Sequence, residues 1–281
     1  MYNAVFINDN GLKYNFGVAG STAFDMDFGN GISVDLGTSQ GFAQIGETVE
    51  TKKVSGRPIN VHGCIYENVT VNKNLMRKVL SPFSEGTLIF EGKYSTRVHV
   101  KDAPTFAPDN GKFAFQLFAP FPYFFSDEES RTNIGIMVVP QFRFPINYSK
   151  PHAFGKRVGR NKTNVFNDGD VKVPFELRIT TEGISTNVVL SNLNTFEFLK
   201  INGRINKDDE IHIYRDNRGI LRATLTNSLG TKDIISRVDE KSTLFEMYVG
   251  DNFLNVVDDE KSDKLNAILT FKPAVVSLYE R

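Results

Sequence analysis

The chain has 281 residues, 40% of them hydrophobic and 23% charged, with 33 Lys and Arg against 33 Asp and Glu. Such a chain folds as one large or two ordinary domains and buries its cores without disulfide or metal staples. Its zero formal charge excludes a bulk electrostatic grip on nucleic acid or anionic membrane, and its single cysteine, Cys64, excludes an intrachain disulfide.

The first elements read as strands. Ala4–Ile7 and Leu12–Phe16 flank Asn8-Asp-Asn-Gly11, and Asn-Gly between two apolar runs is a strong hairpin signal. The stretch from Phe28 to Gly46 carries five glycines and reads as turns or a mobile loop; neither phosphate-cradling spacing, GxGxxG nor GxxxxGK[ST], occurs in it. Gly56–Tyr66 alternates as a strand. Leu75, Met76, Val79 and Leu80 then share one helical face, which predicts a helix near 72–81 that Pro82 ends. Its basic side, Lys73, Arg77 and Lys78, reads as a solvated face. Strands follow over Gly86–Glu91, Thr96–Val100 and Lys112–Phe118, and Pro120 and Pro122 then break the pattern. The polar run Ser126–Thr132 places a domain boundary near residue 130, giving domains 1–130 and 131–281.

The second part opens with Met137-Val-Val-Pro140 and a basic stretch, Lys150 to Lys162, that reads as an exposed hairpin or loop. From Val165 to Pro273 the chain repeats one pattern, an apolar alternation followed by a polar turn: Val171–Ile179, Phe196–Ile201, Glu210–Tyr214, Gly219–Leu225, Leu244–Val249 and Leu265–Phe271. Side chains in a strand alternate faces, so these runs predict an antiparallel sandwich or barrel with one buried and one wet face.

Chemistry is sparse. His62, His99, His152 and His212 offer no pair at metal-ligand spacing. No Gly-x-Ser-x-Gly elbow occurs, and Cys64 lies with His62 on one strand face without the surroundings of a nucleophile. Asp25-Met-Asp27 followed by Gly29-Asn-Gly31 fails as a calcium loop, because the fifth, sixth and twelfth positions are Gly29, Asn30 and Leu36. The acidic clusters Asp208-Asp-Glu210 and Asp258-Asp-Glu260 read as solvated turns. No catalytic, cofactor-binding or metal-binding residue is expected, and the chain is read as a non-enzyme that takes no cofactor. A carbohydrate-binding module recognising cell-surface glycans is the alternative. With 24 Phe, 9 Tyr and no Trp, its stacking platforms would be Tyr214 and Tyr248. No apolar run long enough to span a bilayer occurs, and Met1–Ile7 lacks the pattern of a secretory signal.

A resemblance adds to this reading. Gly56-Arg-Pro-Ile-Asn-Val-His-Gly63, the helix Leu75–Leu80 with Pro82, the strand Phe113–Phe118 running into Ala-Pro-Phe-Pro-Tyr123, and Gln141-Phe-Arg-Phe-Pro145 resemble, in order and spacing, the distal tail protein family of long-tailed, siphovirus-type bacteriophages and prophages. Asn167-Asp-Gly-Asp-Val-Lys-Val-Pro-Phe175, Gly250-Asp-Asn-Phe-Leu-Asn255 and Leu269-Thr-Phe-Lys-Pro273 continue it through the second half, with Asp251 departing from the family turn. The resemblance implies an all-β protein with one short helix: an N-terminal β-sandwich-like domain that assembles into a ring, typically hexameric, followed by a galectin-like β-sandwich; no His-Asn-Pro-Arg or Trp-Glu sugar signature occurs in that second domain, so the likeness carries no lectin activity over. It implies a virion component made in the bacterial cytoplasm. Its partners would be copies of itself, the tail tube protein and the tail-tip, tail-associated or receptor-binding proteins. DNA would pass through the ring's channel without sequence-specific contact, and no part would insert in a membrane.

Overall fold

The computed structural model describes residues 3–17, 22–28, 32–108, 110–140, 155–159, 162–216, 219–243, 245–259 and 264–278, with backbone only at 136–140 and 155–159. Gln141–Pro145, His152 and most of the basic stretch lie outside the described residues. The chain divides into two units, Met1–Glu128 with Ala274–Arg281, and Glu129–Pro273.

The first unit contains β1 (Ala4–Asn8), β2 (Lys13–Phe16), β3 (Thr22–Asp27), β4 (Val34–Ser39), β5 (Thr48–Val54), β6 (Arg57–Ile65), helix α1 (Val69–Val79), β7 (Glu85–Phe90), β8 (Tyr94–Phe106), β9 (Lys112–Ala119) and β10 (Phe124–Ser126). The β1–β2 hairpin closes at Asn8–Gly11, where Gly11 sits at φ 78° and donates its N–H to the Asn8 carbonyl at 2.9 Å. One antiparallel sheet runs β2-β1-β7-β8-β9-β6-β3. β8 makes this possible: its first half pairs with β7, its second half with β9, and two register shifts bend it between them. The two halves of the sheet then face each other. Phe16 on β2 lies 5.7 Å from Phe115 on β9 and 5.7 Å from Phe24 on β3, ring centre to ring centre. Phe6, Ile59, Val61, Leu88, Val98 and Leu117 fill the interior.

Helix α1 starts three residues earlier and ends two residues sooner than the spacing predicts. Met76, Val79 and Leu80 are buried as expected, but Leu75 points to solvent. The helix needs only the narrower stripe, because its opposite flank is used too. Lys73 donates to the carbonyls of Ala107 (3.2 Å) and Asn110 (2.8 Å), and both Lys73 and Arg77 lie over the Phe106 ring. Two of the three cations read as a solvated face therefore bind the helix to its own unit through their stems and a cation–π contact.

The second unit contains β11 (Ser130–Asn133), β12 (Ile136–Pro140), β13 (Gly155–Gly159), β14 (Thr163–Asn167), β15 (Glu176–Thr181), β16 (Ser185–Asn192), β17 (Phe198–Ile205), β18 (Glu210–Arg215), β19 (Leu221–Asn227), β20 (Gly230–Asp233), β21 (Gly250–Val257) and β22 (Leu265–Phe271). A six-stranded sheet, β11-β22-β15-β18-β19-β20, and a four-stranded sheet, β14-β21-β16-β17, are both antiparallel. Leu199 of the four-stranded sheet and Ile213 and Leu221 of the six-stranded sheet line one small crevice, so the inner faces oppose each other as in a sandwich. Ile179, Ile211, Ala223, Ala267 and Leu269 are buried from one sheet and Leu190, Ile201 and Leu254 from the other, as alternation dictates.

Two expected strands in this unit do not form as read. Val171–Ile179 becomes a strand only from Glu176, since Pro174 cannot donate to a ladder. Among the described residues of Leu244–Val249 only Met247 pairs, in a lone bridge to Val173. Phe245 and Met247 are buried nonetheless: the apolar alternation reports their burial, while the buried Asn252 side chain accepts from Tyr248 N–H and donates to the carbonyls of Tyr248 and Gly250 in place of a partner strand.

Beyond β22, β23 (Ala274–Val275) pairs with β10 in the first unit. Arg57, only 3% exposed, secures that segment by donating from Nη2 to the Val276 carbonyl at 2.9 Å while stacking over Phe124.

Candidate assembly surface

Among the described residues no group of three or more His, Cys, Asp or Glu side chains gathers in one place. Each described histidine instead meets one carboxylate on a sheet face: His62 with Asp25 (3.5 Å), His99 with Glu85 (3.4 Å) and His212 with Glu176 (3.1 Å). Asp25 and Asp27 belong to strand β3 rather than to a loop, which removes the geometry a calcium site needs.

Of the two tyrosines singled out as stacking platforms, one lies in a strand and the other outside every strand. Tyr214 is half-buried on the outer face of β18, with its ring stacked on His212 at 4.5 Å. Tyr248 precedes β21; burial and the nearby Glu197 carboxylate, to which its hydroxyl is hydrogen-bonded, raise its pKa above the usual phenol value.

The feature that stands out lies in the Gly-rich stretch. In place of a loop, β4 and β5 form a separate two-stranded sheet, and every residue in both strands is exposed. Pairing of Val34 with Val54, Leu36 with Lys52 and Thr38 with Val49 sets these six side chains on one face. Asp35, Lys53, Gly37, Thr51, Ser39 and Thr48 occupy the other. A register shift at Gly37–Thr38 leaves Glu50 as the extra residue and swings Val49 onto the face of Val34, Leu36 and Val54. All four strand valines and leucines of the hairpin thus share one side, and that side is turned to solvent.

The tip is built to the same end. Gln44 holds it through four contacts: its Oε1 accepts from Gly41 N–H (2.9 Å), its N–H reaches the Gly41 carbonyl (3.1 Å), its Nε2 donates to Thr48 Oγ1 (2.9 Å), and its carbonyl accepts from Gln40 Nε2 (3.1 Å). Phe42 and Ile45 project from this fixed tip fully exposed. A lone hairpin is marginal in water, and one that turns its apolar face outward calls for a covering surface.

No family model and no curated protein matches the sequence. Among solved structures the chain is similar to the SPP1 Dit protein (gp 19.1), described as a paradigm of the hub adsorption apparatus in phages infecting Gram-positive bacteria, with a TM-score of 0.65 at 13% identity, covering 97% of this chain and 99% of that one. It is also similar to a chain of the phage P2 baseplate in its activated conformation with calcium, with a TM-score of 0.49 at 12% identity, covering 96% and 98%. The likeness to SPP1 Dit shows that this chain has the Dit-like all-β fold.

Proposed function

We propose that this protein is a distal tail hub of a long-tailed phage: a ring-forming structural component that joins the tail tube to the baseplate or tail tip and lets DNA pass through the ring. The first unit forms the ring, as a hexamer, and the second is a galectin-like sandwich available to outer tail proteins. The observation that carries this reading is the β4–β5 hairpin, whose valines, Leu36, Phe42 and Ile45 are spent on a surface that a free monomer leaves in water. The Dit-like fold agrees with it. In a ring each copy meets its neighbour through a heterologous interface, and the hairpin of one copy covers apolar surface on the next. The protein acts by holding and being held, with no chemical step.

The test replaces Leu36 by Lys and Phe42 by Ser together. Both side chains are exposed, so the unfolding free energy stays within about 0.5 kcal/mol of wild type. Mass photometry is expected to show the oligomer lost from the variant and present in the wild type. An oligomer of unchanged size and stability in the variant removes the hairpin from the interface.

A further inference from the structure

The apolar face of the β4–β5 hairpin has a counterpart on the same unit. Outside the hairpin, the described residues of the first unit that expose large apolar side chains are Tyr66, Val71, Leu75, Phe83 and Phe121. Exposed apolar residues scattered singly call for no explanation. Four of these five, however, fall on helix α1 or within four residues of its ends. Val71, Leu75 and Lys78 follow one another at i, i+4 and i+7 along its exposed side. Val71 is β-branched and 67% exposed, so it lowers helix propensity and regains little by burial within the chain. Phe83 stands fully exposed just past the helix end.

Shape and charge fit the two surfaces to each other. The helix has 11 residues and is about 16 Å long. The hairpin strands, of six and seven residues, make a ribbon about 20 Å long and two strands wide, which is about the width of a helix with its side chains. Helix α1 carries Lys73, Arg77 and Lys78 and no acidic residue, with Arg77 and Lys78 in its last turn; Glu67 precedes its first. From Leu36 to Thr51 the hairpin has the acids Glu47 and Glu50 and no cation, while Lys52 lies nearer its base on the apolar face. A hairpin laid along α1 with its tip at the helix C-terminus therefore sets Glu47 and Glu50 toward Arg77 and Lys78, Lys52 toward Glu67, and Phe42 and Ile45 toward Phe83. Both surfaces are exposed in the single chain, so the hairpin does not cover its own helix.

We infer that helix α1 of one copy receives the β4–β5 hairpin of the next, with Val71, Leu75 and Phe83 as the apolar seat. The seat rests on the hub reading of the preceding section, which leaves the receiving surface unnamed. Hairpin and helix are different surfaces, so their contact is heterologous and repeats from copy to copy until the ring closes. That asymmetry has a signature which a merely structural role for the helix would not give: two chains, each broken on a different surface, still make one junction.

The experiment mixes two variants. L36K/F42S has a broken hairpin and an intact helix, and V71E/L75E the reverse; the four side chains replaced are all exposed, and circular-dichroism melts check that both chains fold. V71A/L75A, which favours the helix, serves as a second variant of the seat. Sedimentation velocity across a concentration series is expected to show the wild-type oligomer lost from each variant alone. Mixed in equal amounts, a hairpin variant and a seat variant should form a species of two chains and none larger. K78E should shift self-association to higher concentration, and E47K in the same chain should shift it back. An oligomer retained by both seat variants, or a mixture that stays monomeric while its chains melt like the wild type, overturns the helix as the seat and leaves the hub reading in place. No shift by K78E, or no recovery by E47K, overturns the direction of the hairpin. A wild type that never self-associates overturns the hub reading and the seat with it.

Discussion

At Phe83 the backbone sits at φ 68° and the residue is 98% exposed. Ser84 N–H closes the turn on the Ser81 carbonyl at 3.0 Å, with Pro82 and Phe83 in the middle. A proline followed by a residue at positive φ is the type II pattern, whose third position favours glycine. Phe83→Gly is expected to stabilise the free protein by about 1 kcal/mol, because no burial is lost and a strained backbone is relieved; urea unfolding measures it, and a loss of stability would show that Phe83 packs in solution. Asp209 gives a prediction of opposite character. Its buried carboxylate accepts from Asn206 N–H (2.8 Å), Asn227 Nδ2 (3.0 Å) and Asn206 Nδ2 (3.0 Å), which holds its pKa below the ordinary 3.8. Because the folded value is the lower one, the stabilisation is present in full above 3.8 and is lost as pH falls through the folded value. Unfolding midpoints taken down this acid range should fall less steeply for Asp209→Asn than for wild type. Little of this residue scale was legible beforehand. Residue type and alternation single out Tyr214 and Tyr248, but neither periodicity nor composition says that Tyr214 sits in a strand while Tyr248 lies outside every strand.

Elements were legible where one face is buried and the ladder is regular. The strands β1, β6, β9, β18 and β22 fall within a residue or two of the apolar alternation that announced them, because burial of one face imposes period two on the sequence. The β4–β5 hairpin escaped for the complementary reason. Its bulge at Glu50 breaks the alternation in β5, its glycines read as loop, and its apolar face answers to no core in this chain. The same hairpin predicts where a protease enters. Exposed and joined to no other sheet, it should be the first described segment cleaved in the unassembled protein, and cleavage between Gly41 and Gly46 should slow once copies associate. Resistance of this tip in a confirmed monomer would contradict the assignment. Leu244–Val249 teaches the converse: alternation survived there as a record of which side chains are buried, although side-chain hydrogen bonds from Asn252 had replaced the ladder.

On the scale of the whole molecule, the segment after Pro273 closes the first unit rather than extending the second. A two-residue strand leaves no periodic trace, so the pairing of β23 with β10 was not readable in the sequence. Its energetic weight is nonetheless considerable: Val275 is buried and Arg57 donates to the Val276 carbonyl. Removing residues 274–281 is expected to cost roughly 3–5 kcal/mol of the first unit's stability, from one buried valine and one hydrogen bond to a charged group; hydrogen exchange at β10 would report it. The account as a whole rests on self-assembly, and one measurement bears on that most directly: light-scattering mass of the purified full chain across a concentration series, with negative-stain imaging of the same fractions. The account predicts a species several times the 31.6 kDa of one chain, imaged as closed rings with a central opening. A particle of 31.6 kDa at every concentration, with no rings in any fraction, would contradict it.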